Sequence, residues 1–209
     1  MTRSARRHRG ALLVLVLALV VAASLLATAS AAASTKTVYG GQTVLSTDQR
    51  QTFICLWGSG GVFLPMAPTT IKPIEAAMRL TFTNGTGTVN PAALTGSFSL
   101  KGGFMLFSKQ TMSDWSTFPF TQIKVKLGAA ANLSGISVGG TRKTFALLDL
   151  TAATVTQYLS GGHKYVRIAN VKATMSTWMF NELGIFLPTY MDTAPNTDLG
   201  TLKLVCRIS

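Results

Sequence analysis

Past residue 33 the prevailing hydrophobic period of the chain is two. The segments RLTFTN (79–84), LTGSFSL (94–100), GFMLFS (103–108), FTQIKVKLG (120–128), ANLSGISV (131–138), KTFALLDL (143–150), ATVTQYL (153–159), KYVRIANVKATM (164–175) and GTLKLVCRI (200–208) alternate apolar with polar residues or are rich in β-branched and aromatic ones. Alternation of this kind turns one face of a strand to a core and the other to solvent. Clusters of Gly, Asn, Pro and Ser bound the segments, as in NGTGTVNP, KGG, GGTRK and SGGHK, and these are turn chemistry. Many short strands without long intervening helices predict a mainly β fold: an antiparallel β-sandwich or barrel-like sheet stack with one or two short α-helices.

Two stretches break the period and rhyme with each other. QTVLSTDQRQTFICLWGSGGVFLP (42–65) and ATMSTWMFNELGIFLP (173–188) each run from a Thr-containing alternating stretch through Ser-Thr into an apolar segment, stop at Gly and resume as Phe-Leu-Pro. Ser46 or Thr47 can cap a helix ending at Gly58, and Ser176 or Thr177 one ending at Gly184. The proline then confines the following extended segment to the edge of a sheet. Either helix could plug one end of the sheet stack.

At the N-terminus, TRSARRHRG places four arginines ahead of the apolar run ALLVLVLALVVAASLLA, and small residues follow in TASAAAS. This order is that of a secretory signal peptide over residues 1–33, with cleavage after Ala31 or Ala33. An uncleaved segment would be the chain's contact with a membrane. The remainder, residues 34–209, is long enough for a single secreted β-rich domain with its own core.

Loss of the leader leaves fifteen basic against seven acidic residues, a formal charge of +8 compared with +12 for the whole chain. Only Arg142-Lys143 are adjacent, and no basic run stands beside clustered aromatics, so nucleic acid is not the expected partner. A cationic exported surface suits cell-wall polymer, a lipid surface or a protein partner. Cys55 and Cys206 make an even number in an oxidising compartment and are expected to form a disulfide. So long a closed loop is worth about 5 kcal/mol on the chain-entropy estimate.

His163 is the one histidine beyond the leader, and SGGHKYVRI sets it at a turn beside Tyr165, with Tyr158 ending the previous strand. One hairpin thus carries an imidazole and two phenols, either of which could ligate haem iron. GISVG (135–139) matches the nucleophile-elbow pattern, and Ser137, Asp149 and His163 follow in the chain order of that fold. The elbow needs a strand entering a helix, whereas VGGTRKTFALLDL reads as a turn into another strand, so the match is taken as chance and no enzyme activity is expected. GGFMLFSKQTMSDWSTFPF (102–120) and TWMFNELGIFLPTYM (177–191) are rich in aromatic residues and Met, either as core or as an apolar surface. The sequons at Asn84 and Asn132 are read as turn markers.

The run LTGSFSLKGGFMLFS … FPFTQIKVKLGAAANLSGISVGGTRKTFALLDLTAATVT … GGHKYVRIANVKATMSTWMFNELG … DLGTLKL resembles secreted β-rich proteins of high-GC Gram-positive bacteria, including the HtaA-type haem-binding domain, over roughly residues 94–204. The resemblance implies haem carriage through tyrosine and histidine near the iron, although no Tyr or His of this chain matches a ligand position of that family. The expected function is an exported cell-envelope or extracellular binding or structural module, secreted or at the cell surface, with no cofactor. The alternative is a carrier of haem or a small apolar ligand, with His163, Tyr165 and Tyr158 as its contacts.

Overall fold

The computed structural model describes residues 34–48, 62–74, 77–109, 115–184 and 197–209. The leader, the first expected helix and its cysteine, and the second Phe-Leu-Pro lie outside them. Among these residues twelve strands are formed: β1 (Lys36–Ser46), β2 (Val62–Met66), β3 (Thr70–Ile74), β4 (Ala77–Asn90), β5 (Thr95–Lys101), β6 (Gly103–Lys109), β7 (Trp115–Leu127), β8 (Asn132–Ile136), β9 (Arg142–Asp149), β10 (Thr154–Ser160), β11 (His163–Met175) and β12 (Asp198–Ile208). One helix, α1 (Thr177–Gly184), follows β11.

Eight of the strands close on themselves. The order β7-β5-β4-β1-β12-β11-β9-β8 returns to β7 through the β7–β8 pairing, and every ladder is antiparallel. The result is a barrel, one of the two arrangements that the alternating pattern allows. The other four strands lie off the ring: β2 and β6 extend the sheet beyond β7, β3 pairs with β4, and β10 pairs with β11. Pro65 sits in β2, the last strand of the order among the described residues, an edge position of the kind that tolerates proline.

The inward faces fill the ring with Phe82, Phe98, Ile123, Val125, Leu133, Ile168, Leu202 and Leu204, all buried. At one end Phe104 stacks on Phe120 with centroids 4.7 Å apart, and Phe145 meets both edge-on at 5.5 Å. Trp178 of α1 adds an edge contact to Phe120 at 6.0 Å, and Met179 is buried beside it. Of the two rich segments, Phe104, Phe120 and Met179 are therefore core, and the half-buried Trp178 packs against it. Ser176 is the cap: its Oγ accepts from the Met179 amide at 3.1 Å and donates to the Thr144 carbonyl at 2.6 Å, which fixes the helix start to β9.

Two expectations change. NGTGTVNP is not a turn, because β4 continues to Asn90 and only residues 91–94 turn. Its glycines serve strand packing instead: a Cβ on Gly87 would come within 2.2 Å of the Ser97 carbonyl oxygen on β5, at a bulge between Asn84 and Gly87. Asn84 is likewise no turn marker. It is buried, its Oδ1 accepts from the Thr43 hydroxyl at 2.7 Å, and its Nδ2 reaches past β1 to the Val205 carbonyl on β12 at 3.0 Å. One amide thereby ties three neighbouring strands inside the core.

A buried polar group left without its partner costs about 1–3 kcal/mol. We expect Asn84→Ala to lower stability by about 2–4 kcal/mol, through the orphaned Thr43 hydroxyl and the small cavity together. The Asn84→Leu/Thr43→Val double variant should recover part of that loss. Urea unfolding with an unchanged slope is the measurement, and a midpoint indistinguishable from the parent's would show the amide to be dispensable.

Candidate functional site

β10 stands off the ring, paired along the half of β11 that β9 does not reach. Among the described residues β10 (154–160) pairs only with β11, and every one of its residues is exposed. Its loop is the glycine pair of SGGH, with φ of 54° at Gly161 and 74° at Gly162, the left-handed pair that a two-residue hairpin demands. That loop fixes Ser160 opposite His163 and therefore Tyr158 opposite Tyr165.

The two tyrosine rings stack, with centroids 5.4 Å apart and planes at 14°. Tyr165 is in turn opposite Arg207 of β12, while Arg167, one pleat along β11, is opposite Val205. His163 shares the face two residues before Tyr165. Val166 and Ile168, on the other face of β11, are buried in the core, so the tyrosines point away from the barrel interior. The hairpin thus brings together the three residues singled out from the sequence and adds two arginines. Arg207 lies 42 positions from Tyr165, and no local sequence signal joins them; only the β11–β12 register does.

The chemistry of this set is definite. A flat ligand can stack on an aromatic pair, a phenol or imidazole can ligate iron, and guanidinium groups pair with carboxylates.

Ser137, Asp149 and His163 form no triad. GISVG leaves β8 into a single 3-10 turn and then β9, with Ser137 buried at the turn's start. Asp149 is at the far end of β9, about 23 Å along the strand from Arg142 at the rise of an extended chain. Its carboxylate is held below the usual pKa by hydrogen bonds from the Thr151 hydroxyl and amide, the latter at 2.9 Å. It is a turn residue.

Cys206 is a free thiol in the structure, fully buried, with Asn84 Nδ2 at 3.6 Å from its sulfur. Cys55, the expected partner, lies outside the described residues. Burial pushes the Cys206 pKa up to about 12, against a slight opposing effect of the Asn84 hydrogen bond.

No protein-family model matches the chain, and no curated protein matches it in sequence. Among solved structures the chain is similar to the C-terminal domain of HtaA from Corynebacterium glutamicum, with a TM-score of 0.54 and 12% identity over 83% of this chain and 99% of that one. The heme-binding protein HtaB of the same organism also matches, with a TM-score of 0.44 and 11% identity over 84% of this chain and 96% of that one. The HtaA match establishes a common fold, and the resemblance read from the sequence is borne out at that level.

A thiol whose folded pKa exceeds its unfolded value favours the fold below the unfolded pKa, and that contribution is lost as pH rises toward the folded one. We expect stability to decline from about pH 9 upward, within the window set by the ordinary value of 9.0 and the folded value near 12. Denaturant midpoints at pH 8 and 10.5 should converge in Cys206→Ala. A pH effect equal in both proteins would assign it elsewhere, and its absence from the parent would indicate a bridged Cys206.

Proposed function

We propose that the chain is an exported, non-enzymatic binding module that meets its ligand through the β10–β11 hairpin, at the cell surface or beyond it. The observation that carries this reading is the stacked Tyr158–Tyr165 pair on a hairpin whose outer strand, β10, is exposed throughout, framed by His163, Arg167 and Arg207. An exposed Tyr158 stacked on a half-buried Tyr165 outside the barrel, with cations at their border, makes a contact surface rather than a core. The arginine-apolar-small order of residues 1–33 supports export. Cell-wall polymer, lipid and protein remain the partner classes for the envelope-module role.

A second reading, haem carriage, is favoured by the donor set. Tyr165 or Tyr158 would supply a phenolate and His163 an imidazole, and Arg167 and Arg207 would hold the propionates. Bound haem would contribute an iron centre. The protein's share is to stack it, orient it and balance its charge.

Two measurements decide between these readings. Fractionation of the host should recover a shortened chain from the envelope or medium, and an intact N-terminus in the cytosol would overturn export. Haemin titration of the mature protein, followed at the Soret band, should give a saturable shift that Tyr165→Phe or His163→Ala abolishes if the carrier reading holds. A flat titration rejects haem and leaves the envelope module.

A further inference from the structure

Cations scattered along the sequence converge on the outer face of the barrel. The register sets Lys72 of β3 directly opposite Arg79 of β4, Arg79 opposite Ser46 of β1, and Ser46 opposite Thr201 of β12. Two residues along, Thr70, Thr81, Val44 and Lys203 form a parallel row across the same strands. These rows and the Ala169–Asn170 bulge of β11 bound a groove of about 510 Å³. Since it lies outside the core, its concavity comes from the saddle shape of a twisted, tilted barrel.

The charge in this groove is one-sided. No Asp or Glu is among its lining residues, and Asp198 beside it is paired with Lys172 at 3.5 Å. Like charges directly opposite across two strands are unfavourable. Lys72 and Arg79 nonetheless hold that arrangement in the groove wall, where the facing hydroxyls of Ser46, Thr70, Thr81 and Thr201 are neutral, so the lining itself presents net positive charge to a ligand.

We propose that the groove binds an anionic, hydroxyl-bearing polymer of the phosphodiester-linked polyol class. From β3 to β12 the groove crosses three strand spacings, about 14 Å, a span that successive phosphates on one chain match better than an isolated anion. Thr70, Thr81, Thr201 and Gln42 offer hydrogen bonds to polyol hydroxyls between the charges. The walls hold no aromatic side chain, and so lack the stacking platform of single-stranded nucleic-acid sites. Their apolar residues are only Val44, Leu202 and Ala169, too little surface to enter a bilayer. Tyr158, Tyr165 and His163 take no part, so this site stands or falls independently of the haem reading.

The test is calorimetric titration of the mature chain with poly(glycerol phosphate) at several salt concentrations. Binding should weaken linearly on logarithmic axes with a slope of about −2 to −3, as for three neutralised phosphates. Lys72→Gln, Arg79→Gln and Lys203→Gln should each weaken binding by about threefold to fivefold and make the slope shallower by about one, whereas Arg79→Lys should retain most of the affinity. Lys126→Gln, an equal charge change at an exposed position of β7, should leave binding unchanged. The proposal is overturned by a flat titration, by an equal loss in Lys126→Gln, by inorganic phosphate binding as tightly as the polymer, or by phosphatidylglycerol vesicles binding with the same residue dependence.

Discussion

The structure depends on closure. An open antiparallel sheet leaves two rows of unpaired N–H and C=O groups, and here the short β8 removes both by pairing with β7 on one side and β9 on the other. Once the ring is shut, every second residue of eight strands must share one enclosed volume. That is why the core is rich in Phe, Leu, Ile and Val, and why a polar residue such as Asn84 is admitted only with its hydrogen bonds made.

Closure also decides what lies outside. β11 pairs with β12 along most of its length, but its last four residues pair with β9 and its first seven with β10. The exchange falls near Asn170, whose φ of 59° is a left-handed conformation that Asn tolerates better than most residues. β10 thereby takes the edge of β11 that β9 leaves, while Val166 and Ile168 of that half stay in the core. The same bulge forms one wall of the cationic groove, so a single irregularity separates the aromatic surface from the charged one.

The candidate residues differ in how visible they were before folding. Tyr158 and Tyr165 could be paired from the sequence, since a two-residue Gly-Gly loop sets the register of everything that follows it. Arg207 could not, because its place beside Tyr165 is a long-range register. Lys203 reaches Lys72 and Arg79 for the same reason, whereas those two stand seven residues apart on the consecutive strands β3 and β4. The serine of GISVG shows the converse: a pattern that resembles a nucleophile elbow is separated by the whole length of β9 from the aspartate that would complete it.

Local physics alone determined the strands from Arg79 onward, the Ser-capped helix ending at Gly184 and the Gly-Gly hairpin, since alternation, capping and turn conformation are properties of a few adjacent residues. It did not determine that NGTGTVN continues a strand, because a glycine needed for close backbone approach looks the same as one needed for a turn. Only the tertiary structure chose barrel over sandwich and gathered the arginines and lysines into surfaces. Those outcomes are set by which strands pair and in what register, and a pairing between distant segments leaves no mark on either segment by itself.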